Sequence, residues 1–229
     1  MTVLLDERHR AVLEATGHGL VLGGPGSGKT TLALLKAVKR IDEGLRPGEG
    51  VLFLSFSRAA VARIADAIKD KVPSGKRSGL AMQTFHSFFW GILQTHAHLL
   101  HAPKQLSIVL PHDERAMRNG IERGDPGWED WEEVRLRLFH QQGRVCFDLF
   151  APLTAELLTR AKRIRERVAS RYPLILVDEA QDTGTEQWAC MEALAAKSQV
   201  ICLADLDQLI FDHLPILLLP SLSVVYNRR

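Results

Sequence analysis

Apolar residues fall in short unbroken runs along this chain, and between the runs they recur every three or four positions. The runs Gly19–Leu22, Val51–Ser55 and Leu174–Val177 predict strands, and a fourth run lies at 200–204. A run that is apolar at every position marks a strand buried on both faces, as in parallel sheets. Helical spacing fills the intervals at 31–43, 58–72 and 185–196. Strands alternating with helices predict an α/β fold, a parallel sheet covered by helices on both faces. Residues 90–171 break the alternation. They read as a helical insertion between two strands, with Trp128, Trp131, Phe139 and Phe147 as core aromatics and acids concentrated at 125–133.

The composition narrows this little. The chain has 229 residues, 46% of them hydrophobic and 24% charged, enough for one large domain or a core domain with an insertion. A net charge of +2 leaves any nucleic-acid partner to local basic patches. Cys146, Cys190 and Cys202 are isolated, so neither a disulfide framework nor a zinc site is indicated, and a reduced cytoplasmic protein is expected. Asp6, Glu7, Arg8 and Arg10 exclude a signal peptide. The most apolar tract, 214–226, contains Pro215 and Pro220 and is shorter than the roughly 20 residues that span a bilayer, so no membrane segment is expected.

Chemistry enters directly after the first strand. Gly23-Gly24-Pro25-Gly26-Ser27-Gly28-Lys29-Thr30 fills every fixed position of the phosphate-binding pattern G-x-x-x-x-G-K-[ST], between a strand and a helical segment. Glycines let the backbone wrap closely around phosphates, and a helix N-terminus offers them free N–H groups. Gly24, Pro25, Gly26, Ser27, Gly28, Lys29, Thr30 and Thr31 are therefore candidate contacts to a nucleoside triphosphate. Lys29 would reach the outer phosphates, and the Thr30 hydroxyl would bind a magnesium ion bridging them.

The strand Leu174–Val177 ends in Asp178 and Glu179. Asp178 is placed to hold the metal beside Thr30, and Glu179 to orient and deprotonate the water that attacks the terminal phosphorus. Because each motif follows a strand of one parallel sheet, the motifs should converge at the carboxyl edge.

The residues after that pair narrow the field: Asp178-Glu179-Ala180-Gln181-Asp182-Thr183. Upstream stand Ser55-Phe56-Ser57-Arg58-Ala59-Ala60 and Thr84-Phe85-His86-Ser87-Phe88, and downstream Leu203-Ala204-Asp205-Leu206-Asp207-Gln208-Leu209-Ile210-Phe211. In this order the set resembles the first motor domain of UvrD/Rep-like superfamily 1 DNA helicases. The resemblance implies a RecA-like P-loop NTPase fold over 1–89 and 172–213, the insertion over 90–171, and an atypical apolar tail over 214–229. It implies ATP and Mg2+ as ligands and single-stranded DNA as partner. Lys29, Glu179 and Gln208 would be catalytic, with Gln208 sensing the terminal phosphate, and Thr30 and Asp178 would bind the metal. Phe56, Thr84, Phe85 and His86 would belong to the DNA surface; without the resemblance, Phe56, Phe85 and Phe88 read more readily as core.

The sequence departs from the family pattern in four places. His9 stands where an adenine-reading glutamine is usual, and its one donor and one acceptor can mimic part of that contact. Arg58-Ala59 replaces an Asn-Lys pair, and Asp212-His213-Leu214 replaces a Trp-Arg dipeptide after Phe211. The second motor domain is expected to be absent from this chain, so a second motor domain on another chain is a candidate partner. Mg-dependent ATP hydrolysis coupled to DNA, incomplete for unwinding alone, stands beside an alternative: a nucleotide-dependent DNA- or partner-binding module without efficient turnover.

Two further clusters complete the reading. Residues 157–171 predict one helix with an apolar face and a basic face, of which Arg163 and Arg167 are candidate DNA contacts and a solvated face the plain alternative. His96, His98 and His101 lack the acidic or cysteine partners of a metal site and read as surface histidines.

Overall fold

The computed structural model describes residues 7–205 and 223–226. In chain order the first elements are α1 (Glu7–Glu14), β1 (Gly19–Leu22), α2 (Lys29–Asp42), β2 (Val51–Ser55), α3 (Arg58–Lys71), β3 (Leu80–Thr84) and α4 (Phe85–His96). They are followed by β4 (Ser107–Val109), α5 (Pro111–Arg118), α6 (Trp128–Arg137), β5 (Arg144–Cys146), α7 (Phe150–Arg160) and α8 (Lys162–Arg171). The last are β6 (Leu174–Val177), α9 (Thr185–Ala195), β7 (Gln199–Ala204) and β8 (Ser223–Tyr226). The chain divides into two compact units, one drawn from 1–85 and 163–229, the other His86–Lys162.

The first unit is built on a parallel sheet of order β3-β2-β6-β7-β1-β8 among the described residues. The three apolar runs form β1, β2 and β6 at their predicted bounds, each buried at every position. Alternate residues serve opposite faces. Val21, Phe53, Leu176 and Leu203 join a cluster with Val12 of α1, Leu32 and Ala37 of α2, and Ile64 and Ile68 of α3. Leu52, Leu54, Ile175, Val177, Val200 and Cys202 lie on the other face and are equally inaccessible, and α9 buries Trp188, Met191 and Leu194 beside β7. Each such side chain contributes roughly 1.5–3 kcal/mol relative to exposure, so both faces hold the sheet in place. The α/β, RecA-like class follows from this arrangement.

Local chemistry sets the helix bounds. Ser57 caps α3, its Oγ accepting the Ala60 N–H at 3.0 Å, and Val72 turns extended ahead of Pro73. The segment between α1 and β1 is fastened by buried polar groups. The 5%-exposed Lys36 donates from Nζ to the carbonyls of Leu13 and Ala15, and Gln199 donates from Nε2 to those of Ala15 and Gly17.

Two strands of the sheet lie outside the four predicted runs. β3 is an edge strand of which only Leu80 is buried, and β8 lies inside 214–229, pairing in parallel with β1 from Gly19 opposite Ser223 to Leu22 opposite Tyr226. The helix expected over 157–171 is two. Ala161, at φ −101 and ψ 77, ends α7 and breaks the path into α8. Nothing in the local residue types requires this break; it coincides with the passage from the second unit back to the first. The compact second unit thus ends at Lys162, and nearly all of α8 belongs with the sheet.

The second unit is mainly helical, with a short parallel pair of β4 and β5 that the helical pattern does not predict. Gly143 makes the turn into β5 possible: its φ is 67, and a Cβ there would collide with the Gln105 carbonyl oxygen. Trp131 and Phe139 are buried, while Trp128 and Phe147 are half-buried. No helix among the described residues is long and apolar enough to cross a membrane.

Candidate functional site

All six strands of the first unit point the same way, so the segments that follow them emerge at one edge. β7 lies between β1 and β6. The glycine-rich loop after β1 and the carboxylates after β6 are therefore two strand spacings apart, about 10 Å, with the end of β7 between them. Backbone bonds fix both. The Gly23 N–H donates to Ala204 O at 3.2 Å, and the Asp178 N–H donates to Leu54 O at 2.9 Å.

The loop has the backbone its glycines predict. Gly26 and Gly28 adopt φ of 71 and 90, where an L side chain is strained, and Gly28 is the N-cap of α2. Lys29 and Thr30 begin that helix, both half-buried. Lys29 donates from Nζ to the carbonyls of Gly23 and, at 3.1 Å, Gly24, which folds its ammonium over the loop. Thr31 Oγ1 accepts from Lys71 Nζ at 2.7 Å. His9 is half-buried on α1.

Asp178 is 8% exposed. Burial, with the Glu179 charge second, pushes its carboxyl up to about 6, against the pull of Arg63 and Lys29. Asp182 is also raised, first by burial and then by Glu179. A buried carboxylate beside further acids has the chemistry of a divalent-cation ligand: it gains a full opposing charge where the protein supplies too little. Glu179 sits at φ 52, a left-handed conformation uncommon outside glycine, and its Oε2 accepts from Gln181 Nε2 at 2.8 Å. Gln181 Oε1 in turn accepts the Asp205 N–H at 3.1 Å. The sequence reading gives Gln181 no role. The signal was its place two residues past the acid, within reach only if the chain turns tightly there, as it does over Ala180–Asp182.

At the other end of the sheet edge, Phe56 follows β2 and Thr84 closes β3, both half-buried. Phe85 is 1% exposed and holds the Phe56 ring at 4.8 Å, tilted 46°. Phe88 is buried as well. Of these phenylalanines, Phe56 alone keeps an accessible ring. His86 is exposed and opens the second unit, where its ring lies 5.7 Å from Phe147 and 6.0 Å from Phe150. Arg163 and Arg167 are exposed on α8 with Lys162 and Arg171, and the acid of that helix, Glu166, pairs with Lys197 at 3.4 Å. Gln208, Phe211 and His213 lie outside the described residues. The described residues hold no group of three His, Cys, Asp or Glu arranged for a metal, and His98 and His101 are exposed. The three cysteines are buried, with the Cys146 thiol pushed up to about 12 by burial first.

Several known proteins resemble this chain in sequence. The chain is similar to a putative ATP-dependent DNA helicase, YjcD, of Bacillus subtilis (strain 168), 28% identical over 246 residues that cover 91% of this chain and 32% of the relative. It is similar to DNA helicase II of Haemophilus influenzae, 28% identical over 255 residues, 91% of this chain and 34% of the relative. To the ATP-dependent DNA helicase PcrA of Staphylococcus aureus (strain Mu50) it is 22% identical over 244 residues, 90% of this chain and 33% of the relative. It thus spans about a third of the length of the curated relatives it matches. The pattern of the UvrD/REP helicase N-terminal domain matches residues 4–142 and 136–214, most of the chain, and the chain belongs to that family.

Proposed function

We propose that this chain is the ATP-binding motor domain of a DNA helicase, hydrolysing ATP with magnesium in response to single-stranded DNA. The observation that carries the reading is the seating of the Lys29 loop and the Asp178–Glu179 pair on either side of the β7 end, with Asp178 buried and short of positive charge. The first unit would be the motor and the second the insertion. The residues fit the ligands: Lys29, Thr30 and Asp178 have the charges and hydroxyl that a magnesium–triphosphate requires, and Gly26 and Gly28 give the loop the positive-φ backbone of a phosphate-wrapping turn. Bound magnesium would neutralise charge on the outer phosphates.

The chain's own groups would divide the work. Lys29 exchanges its loop carbonyls for phosphate oxygens. Asp178 and Thr30 would hold the metal, Glu179 would align a water and accept its proton, and Gln208 would report the terminal phosphate to the DNA surface. His9 contributes to the base contact, and Gly24 to Thr31 enclose the phosphates. Phe56, supported by Phe85, offers a stacking face for a base, while Thr84, His86, Arg163 and Arg167 contact the strand. Asp178 is bonded through its backbone to the end of β2, one residue from Ser55 and two from Phe56, which links the metal ligand to the stacking residue. A second motor domain would complete the machine, in the cytoplasm.

Steady-state ATP hydrolysis by the purified chain, with and without single-stranded oligonucleotide, tests this. DNA-stimulated turnover that falls at least a hundredfold in Lys29→Ala and Glu179→Gln is expected. Turnover unchanged in both variants refutes the assignment, and nucleotide binding without turnover makes the chain a binding module.

A further inference from the structure

Gln181 is 7% exposed, in a tight turn between two candidate catalytic segments. Its amide orientation is set by the protein. In a side-chain amide only the oxygen accepts and the NH2 only donates, so the Asp205 N–H, 3.1 Å away, fixes Oε1 towards β7 and leaves Nε2 to face Glu179. Nε2 then donates to Glu179 Oε2 at 2.8 Å. One carboxylate oxygen is tied, and the other remains to accept from a water. Glu179 makes this contact from a left-handed backbone, at φ 52.

The tie also crosses the sheet edge. Glu179 follows β6, and Asp205 is the first residue after β7, three positions before Gln208 in sequence. A paired, buried amide is stiff on both sides, so a shift at the end of β7 carries the carboxylate with it.

We propose that Gln181 is a positioning residue: it locks the Glu179 carboxylate in the orientation that aligns water and makes that orientation depend on the end of β7. The inference rests on Glu179 serving ATP hydrolysis. A plainly structural Gln181 would need only its bond to Asp205, and the two roles separate by substitution. Gln181→Glu keeps an acceptor for the Asp205 N–H but loses the donor to Glu179, whereas Gln181→Met loses both.

The test compares the full chain with these two variants in DNA-stimulated ATP turnover and in equilibrium binding of a non-hydrolysable ATP analogue. The expected result is a fall in kcat of at least tenfold in both variants, with analogue affinity within twofold of the unaltered chain. Wild-type turnover in Gln181→Glu overturns the proposal, since the acceptor alone would then suffice. Loss of analogue affinity in step with turnover overturns it too, because the residue would then be supporting the fold of the loop. If the unaltered chain shows no turnover above Glu179→Gln, the hydrolysis reading itself falls, and the role of Gln181 falls with it.

Discussion

Replacing Asp178 by asparagine removes one charge and leaves the shape of the side chain nearly unchanged. The carboxyl is raised from 3.8 to about 6 in the fold, with burial the larger cause and Glu179 the second. A rise of that size corresponds to about 3 kcal/mol, and at 8% exposure little of it is screened. The sign follows from the direction. A folded-state value above the unfolded one favours the protonated fold, so this contribution is fully present below pH 4 and is lost as pH rises through 6. At pH 8 the native side chain therefore carries the whole penalty. Asp178→Asn should raise Tm at pH 8 by roughly 6–12 °C, since a kilocalorie shifts a chain of this size by about 2–4 °C. At pH 4 the two proteins should melt together. Thermal unfolding followed by circular dichroism across that range is the assay. Equal melting at pH 8, or a gap of the same size at pH 4, would refute the electrostatic account. The same substitution should abolish magnesium-dependent turnover, so that stability rises where activity disappears.

Lys36→Met, which leaves the Leu13 carbonyl without its charged donor, should lower stability by about 2–3 kcal/mol in urea unfolding and speed amide exchange in α1. Gly143→Ala forces a Cβ against the Gln105 oxygen at a positive φ and should cost at least about 2 kcal/mol, seen as faster proteolysis within 86–162. Arg163→Ala with Arg167→Ala should reduce the slope of log affinity for single-stranded DNA against log salt by about 1.4, and an unchanged slope leaves α8 a solvated face.

Much of the fold was legible because burial on both faces leaves a signature in the sequence. β1, β2 and β6 are apolar but for the closing Ser55, and their bounds can be read from residue types alone. β3 could not be read this way: it lies at the sheet edge, and Ala81 to Thr84 are only half-buried, so a mixed sequence suffices there. β8 lies in the most apolar tract of the sequence, but no local pattern announces its pairing with β1. The break at Ala161 is not announced either: alanine favours helix, and the break falls where the chain passes from the second unit to the first. The glycine-rich loop was legible for the opposite reason, since its backbone angles require particular residues wherever the loop occurs.

The aromatics that follow β2 and β3 show where local patterns stop. Phe56 and Phe85 are the same residue type in similar motifs, and one is half-exposed while the other is sealed beneath it. Sequence by itself determined the alternation of strands and helices, the phosphate loop and the paired acids, because each depends on periodicity or on backbone demands within a few residues. The strand order β2-β6-β7-β1, the rise of Asp178 to about 6 and the Glu179–Gln181–Asp205 chain were decided by tertiary structure alone. These depend on which distant segments become neighbours and on how much water their packing removes, quantities that exist only once the sheet has formed.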